Sequence, residues 1–275
     1  MAIEVVLLGT GNPLPDAHRA GAATLVRAGG QTLLFDAGRG VCMRLAAAGT
    51  VPVLLDAVLL THLHSDHICD LNDVVTTHWV MSQQPRTLPL FGPAGTREVV
   101  TAMLAMLAPD VRYRLAHHDD LTWEPQLDVQ EVRDGVVFER SGVRVIAAPT
   151  DHRPAEPTVG YRVEHDGAAV VVAGDTVPCE GLDALCAGAD VYVQTVLRDD
   201  IVRTVPSARF QDTIDYHSSV VQAAQTAARA GVRTLVLTHQ IPTPSPDSDS
   251  EWVAIAREHF AGEIVFGHDL TTVAI

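Results

Sequence analysis

The chain has 275 residues, of which 47% are hydrophobic, and carries a formal net charge of −15. That is ample apolar material for a core, yet no apolar run approaches the roughly 20 residues of a membrane span, and the first residues enter a strand with no basic leader of a signal peptide. All nineteen basic residues are arginine and none form a run, which weighs against a protein that grips a long polynucleotide through its phosphates.

Strands are predicted over 3–8, 22–27 and 31–35, an opening meander joined by turns rich in Gly, Pro and Asp. A helix follows near 40–48, closed by Gly49, and then a buried strand over 54–60. A helix near 70–80 and a strand over 88–91 come next. Gly95-Thr96 opens a helix expected to run through Met106 and to stop at Pro109. Short strands are predicted at 128–133, 136–139 and 143–148. The second half repeats the logic, with strands at 159–164 and 168–173, a helix near 179–187 and a strand at 190–196. The segment Ser218 to Ala230 reads as a helix ended by Gly231, and Val232 to Thr238 as a strand. A helix near 250–260 and strands near 263–266 and 271–275 finish the chain. This is an α/β (α+β) pattern, two packed sheets with helices outside. Candidate ligands run from Asp36 to His239, so one site must draw on both halves, and residues 1–275 read as a single domain.

The chemistry concentrates in Thr61-His62-Leu63-His64-Ser65-Asp66-His67. His62 and His64, one residue apart, point the same way in extended backbone and can hold one cation. Asp66 and His67 follow where the chain turns and can face a second. A solvated, His-rich turn is the plain alternative, but imidazole and carboxylate at this spacing after an apolar strand are the donors zinc takes. Three more candidates end apolar strands: Asp175 after Ala168–Ala173, His239 after Leu235–Thr238, and His152 after Val145–Pro149. Asp175 in Gly-Asp-Thr would also serve as a helix cap. His117 and His118 compete with His152, but lie beside Asp119 and Asp120 in a stretch that reads as a solvated turn. The cysteines Cys42, Cys69, Cys179 and Cys186 form no Cys-x-x-Cys pair and read as free thiols of a reducing, cytoplasmic compartment, with Cys69 a buried structural thiol.

The His-x-His-x-Asp-His run resembles the signature of the metallo-β-lactamase-fold hydrolases. Leu34-Phe35-Asp36-Ala37-Gly38, Thr150-Asp151-His152, Gly174-Asp175-Thr176 and Leu237-Thr238-His239 extend the likeness in the family's order over nearly the whole chain. Within the superfamily the chain is most similar to the ribonuclease Z and arylsulfatase-like branch, on Leu90-Phe91-Gly92-Pro93, Gly160-Tyr161-Arg162 and Tyr216-His217-Ser218-Ser219. The resemblance implies a four-layer αββα sandwich and two divalent ions, Zn2+ foremost, with Mn2+ or Fe2+ as the alternatives. His62, His64 and His152 would hold the first ion and Asp66, His67 and His239 the second. Asp175 would bridge them, its charge offsetting the repulsion between two dications. A metal-bridging hydroxide, available near neutral pH because zinc lowers the pKa of bound water to about 7, is the implied nucleophile. Asp66 and His217 are the expected catalytic residues, His217 as proton donor to the leaving group. Asp36 is expected behind the ligands, accepting an imidazole N–H.

The pattern also departs from that branch. Its His-Glu-Ala-Thr tetrapeptide is matched here by Val193-Gln194-Thr195-Val196, so His217 lacks the orienting glutamate unless Asp212 or Asp215 substitutes. The tRNA-gripping arm is missing from the short interval between His152 and Asp175. Pro15-Asp16-Ala17-His18-Arg19 only partly resembles the basic loop that checks tRNA ends, leaving Arg19 to meet an anionic group. The expectation is therefore a phosphodiesterase for a small or short single-stranded ester, with tRNA not expected as a partner, no membrane partner, and a homodimer as in related enzymes. An arylsulfatase or carboxylic-ester hydrolase is the alternative within the same chemistry, and a non-catalytic metal-binding sensor the alternative outside it. A β-lactamase is disfavoured because those enzymes place cysteine where Asp175 stands.

Overall fold

The computed structural model describes residues 2–275. β1 (Ile3–Gly9), β2 (Ala23–Ala28) and β3 (Gln31–Phe35) form the antiparallel meander. β4 (Ala57–Leu59), β5 (Thr87–Gly92) and β6 (Gln126–Glu131) then add in parallel beside β3. The second half repeats the plan. β7 (Gly135–Arg140), β8 (Val143–Pro149), β9 (Val159–His165) and β10 (Ala168–Val172) are antiparallel. β11 (Val191–Leu197), β12 (Thr234–Ile241) and β13 (Glu263–Phe266) continue in parallel. β14 (Thr272–Ala274) returns to the free edge of β1. Each sheet therefore has seven strands, in the orders β14-β1-β2-β3-β4-β5-β6 and β13-β12-β11-β10-β9-β8-β7.

Residues of alternating register from both sheets, among them Phe35, Leu59, Val145, Tyr161, Val172 and Val236, fill the layer between them. The opposite face of the first sheet packs Leu34, Val58 and Leu90 against α1 (Val41–Ala47), α3 (Leu71–Met81) and α4 (Thr96–His117). The opposite face of the second sheet packs Val171, Tyr192 and Leu235 against α5 (Glu180–Cys186), α8 (Val220–Ala230) and α9 (Asp249–Arg257). This is the αββα sandwich, and it explains why the central strands read as continuous apolar runs: both of their faces are covered. Burying each such Val, Leu or Phe side chain contributes roughly 1.5–3 kcal/mol. The edge strands β6 and β7 carry Gln, Asp, Glu and Arg, charges that discourage pairing with another chain.

Two predicted elements differ most in extent. The strand expected over 54–60 is only Ala57–Leu59, because Pro52–Leu54 winds into a 3-10 turn and Asp56 turns outward to accept the Thr32 N–H. The helix expected to stop at Pro109 runs on to His117. Pro109 removes one amide donor, but the carbonyl left without it belongs to Ala105, an exposed residue that water can reach. Beyond it, Val111 and Leu115 are held by packing on Trp79. Cys69 is exposed rather than buried, being displaced by the single turn α2 (Ser65–Ile68), which turns Asp66 and His67 inward instead. No helix is long and apolar enough to cross a membrane among the described residues.

Candidate metal centre

The predicted ligands gather at one end of the sandwich, at the ends of strands from both sheets. His62 to His67 follow β4, and Asp36 follows β3. His152 follows β8, Asp175 follows β10, and His239 lies within β12. His239 reaches the site through a bulge: Thr195 pairs with Thr238 and Leu197 with Ile241, so β12 carries one residue more than β11 between these rungs. The extra residue puts His239 at φ 48°. Gly174 also has positive φ, 67°, and a Cβ there would lie 2.7 Å from the Thr61 side chain. Glycine thus lets the loop carrying Asp175 touch the loop carrying His62. The Asp151 carbonyl accepts the Val177 N–H at 2.9 Å, fastening the His152 segment to the same loop.

Asp175 Oδ2 is the focus. His67 Nε2 lies 3.4 Å from it, His217 Nε2 3.3 Å, and the Nε2 atoms of His62, His152 and His239 each 3.8 Å. His64 Nδ1 sits 3.1 Å from His62 Nε2 and 3.2 Å from His152 Nε2. Asp66 Oδ2 meets His239 Nε2 at 3.0 Å. Two sets of donors result, His62, His64, His152 and Asp175 beside Asp66, His67 and His239. His117 and His118 stay outside, exposed at the end of α4.

The outer nitrogens are fixed by acceptors. Thr61 Oγ1 spends its only proton on Asp36 Oδ2 at 2.9 Å, so His62 Nδ1, 3.0 Å from that hydroxyl, must donate to it. His152 Nδ1 donates to the Tyr216 carbonyl at 2.7 Å, and His67 Nδ1 to Asp36 Oδ2 at 2.8 Å. In their neutral form, imidazoles held this way turn bare Nε2 lone pairs inward. A proton on His64 Nδ1 can serve only one of its two neighbours, whereas one cation takes all three lone pairs. His67 Nε2 is buried without a hydrogen-bond partner. The donor set, mixed imidazole and carboxylate, fits divalent ions of the zinc class.

Electrostatics agree. Burial pushes His62 well below the usual imidazole range, with the charge of His67 adding to it, and pushes His152 down to about 4. Both are therefore neutral at pH 7, the form that ligates. Burial raises the Asp66 carboxyl, but the His239 hydrogen bond and the nearby His67 outweigh it and bring it to about 2. Asp175 is likewise raised by burial and lowered more strongly by His239 and His67, ending well below the carboxylate range. Burial lowers His67 and His239, but the carboxylates together more than reverse this, Asp175 with Asp36 at His67 and Asp175 with Asp66 at His239. Buried negative charge thus draws positive charge to the inner ligand positions.

Asp36, at φ 60°, ties the ends of two strands together. Its Oδ1 accepts the Thr61 N–H at 2.8 Å while Oδ2 takes the Thr61 hydroxyl and His67. Asp36→Asn replaces one acceptor oxygen with a donor and should free the His67 ring. Zinc affinity, titrated against a competing chelator, is expected to fall about 10–100-fold. An unchanged affinity would show that His67 needs no such support.

The structure also corrects the reading of His217. Neither Asp212 nor Asp215 orients it. Its Nδ1 donates to the Thr213 carbonyl at 2.9 Å, within the 3-10 turn Asp212–Asp215. Thr195, in the stretch matched to the tetrapeptide, donates its hydroxyl to Asp175 Oδ1 at 2.7 Å, while Gln194 points away and bonds Tyr192. Arg19 does not face the centre. Its Nη1 is spent on Thr10 Oγ1 at 2.8 Å and Gln240 Oε1 at 2.7 Å. The centre opens instead into a cavity of about 310 Å3 whose walls include Leu14, Arg209, Phe210, Tyr216 and Pro242. Sequence reasoning missed Arg209, which no motif marks.

Fold and donor cluster together define a metal-dependent hydrolase of the metallo-β-lactamase fold. A family model described as a beta-lactamase superfamily domain matches residues 31–240. A protein named Ribonuclease Z from Mycolicibacterium gilvum is 56% identical over 99% of this chain and 96% of its own length. Another so named from Mycobacterium avium is 56% identical over 99% and 98%. Among solved structures, a metallo-beta-lactamase fold protein of Bacillus subtilis has a TM-score of 0.76 at 22% identity, covering 98% of each chain. Human tRNase Z, short form, has a TM-score of 0.72 at 23% identity, covering 99% of each chain. The chain belongs to the beta-lactamase superfamily, in its ribonuclease Z branch. This chain spans 96% and 98% of the length of those two relatives. The short interval between His152 and Asp175 therefore does not set this chain apart from proteins named Ribonuclease Z, and the argument it supplied against tRNA falls.

Proposed function

We propose that this chain is a two-cation phosphodiesterase that cleaves RNA, precursor tRNA included, with residues 1–275 acting as one hydrolase domain. The observation that carries the reading is the convergence of five imidazoles on Asp175 Oδ2, within 3.8 Å, in a chain whose full-length relatives are named Ribonuclease Z. His62, His64 and His152 would hold one ion and Asp66, His67 and His239 the other, with Asp175 between. Zinc suits the donors, and the unpaired cysteines suit a cytoplasmic setting. Bound, the ions supply an activated water near neutral pH and stabilise charge on the attacking and leaving oxygens. The chain's own residues do the rest. Thr195 pins one oxygen of Asp175, leaving the other to the imidazoles. The Thr213 carbonyl holds His217 with Nε2 toward the reacting region, where a proton on it can pass to the leaving oxygen.

The test is a panel of bis(p-nitrophenyl) phosphate, an aryl sulfate, an aryl ester and a precursor tRNA, assayed before chelation, after it, and with zinc restored. Turnover of the phosphodiester and the tRNA, lost on chelation and regained with zinc, is the expected result. Protein that binds two ions per chain yet cleaves neither would turn the reading toward an inert metal binder. Preference for the sulfate or ester would move it to the neighbouring hydrolase classes.

A further inference from the structure

Charge is the difficulty for an RNA-cleaving reading of a chain at −15, and the cavity over the centre contains an answer. Asp66 and Asp175 line it from below, and Arg209 is the one guanidinium in its wall. Arg209 sits on α7 (Ala208–Gln211), which with α6 (Asp199–Val202) forms the strap between β11 and α8. The strap is held firmly. Ile214 and Phe210 pack on Leu197, Val202 and Ile241, and the Ser207 hydroxyl accepts the Phe210 N–H. Gln211 Nε2 donates to the Val205 carbonyl at 2.8 Å. The other arginines nearby are occupied: Arg203 with Asp199 at 3.6 Å, and Arg198 with Asp200 at 2.7 Å. Among the described residues, nothing pairs with the Arg209 side chain, which is exposed at the cavity mouth.

An unpaired arginine on a rigid support, beside an apolar wall, has the form of a phosphate contact with a base or ribose platform next to it. His217, Tyr216 and the Thr213 carbonyl belong to the same strap and the same cavity. The group that protonates the leaving oxygen and the free guanidinium therefore face the same part of a bound substrate. We propose that Arg209 binds a second phosphate of the substrate, the one carried by the leaving nucleoside, and that Phe210 and Leu14 seat that nucleoside. This rests on the ribonuclease reading and makes it narrower. The preferred substrate is an oligonucleotide with at least two phosphates, and recognition is by backbone charge rather than base identity.

The experiment compares zinc-loaded wild type with Arg209→Gln and Arg209→Lys on two substrates. One is a short single-stranded ribo-oligonucleotide. The other is bis(p-nitrophenyl) phosphate, which has a single phosphate and nothing for Arg209 to hold. Arg209→Gln is expected to raise KM for the oligonucleotide about tenfold with kcat retained, and to leave bis(p-nitrophenyl) phosphate turnover and zinc content unchanged. It should also lower the slope of log KM against log salt by about one. Arg209→Lys should recover part of the loss. An unaltered KM for the oligonucleotide, or an equal loss on both substrates, would overturn the assignment of Arg209 alone. Zinc-loaded wild type that cleaves neither the oligonucleotide nor a precursor tRNA would instead overturn the ribonuclease reading, and the assignment with it; cleavage of the tRNA without the oligonucleotide would overturn the assignment alone.

Discussion

Asp175→Asn is expected to lower phosphodiester turnover by roughly a thousandfold or more and to reduce zinc from two ions to at most one per chain. The substitution keeps the size of the side chain, so the loss is one of charge. In the native protein a single carboxylate oxygen faces five imidazoles, its partner oxygen is committed to Thr195, and the group is almost completely buried. Two dications in so small a volume repel one another, and this carboxylate is the nearest negative charge common to both donor sets. Losing several kcal/mol of charge stabilisation in the transition state corresponds to about three powers of ten in rate. Metal analysis of the variant decides the matter. Two ions retained, with activity lost, would make Asp175 a group acting on the substrate rather than a bridge between ions.

His217→Ala should leave the zinc content intact and lower cleavage of an oligonucleotide by about 10²–10⁴-fold. The loss on bis(p-nitrophenyl) phosphate should be far smaller, because p-nitrophenolate departs without a proton whereas a ribose oxygen does not. The split between substrates is the signature of a proton donor. A purely structural histidine would depress both alike. Its Nδ1 proton is committed to the Thr213 carbonyl, so Nε2 is the nitrogen that exchanges protons with the reacting oxygen. Zinc lost from the variant would place His217 among the ligands instead.

The donor residues were legible because side-chain type and strand position coincide. His62, His64, Asp66 and His67 stand where a strand ends, and Asp36, His152 and Asp175 do so elsewhere in the chain, while His239 follows an apolar run and lies inside β12. The framework was legible for the same reason, since strands covered on both faces must be apolar throughout. What escaped is carried by backbone or by single exposed residues. The carbonyls of Thr213 and Tyr216, which fix the tautomers of His217 and His152, have no signature in a sequence because every residue has one. The bulge at His239 comes from pairing between β11 and β12, which no local pattern reveals. Arg209 is one arginine of nineteen, and only its place in the cavity distinguishes it. The continuation of α4 past Pro109 was hidden because contacts with Trp79, distant in sequence, outweigh a local stop signal.

The division of the donors between the two sheets has a consequence for the life of the chain. Half of the sandwich, however well folded, owns an incomplete set: His62, His64, Asp66 and His67 come early, His152 and Asp175 later, and His239 only with β12 near the carboxyl end. On the proposed assignment, a polypeptide made only as far as β11 lacks His239, so the donor set closes only once β12 has joined the second sheet and the two layers have met.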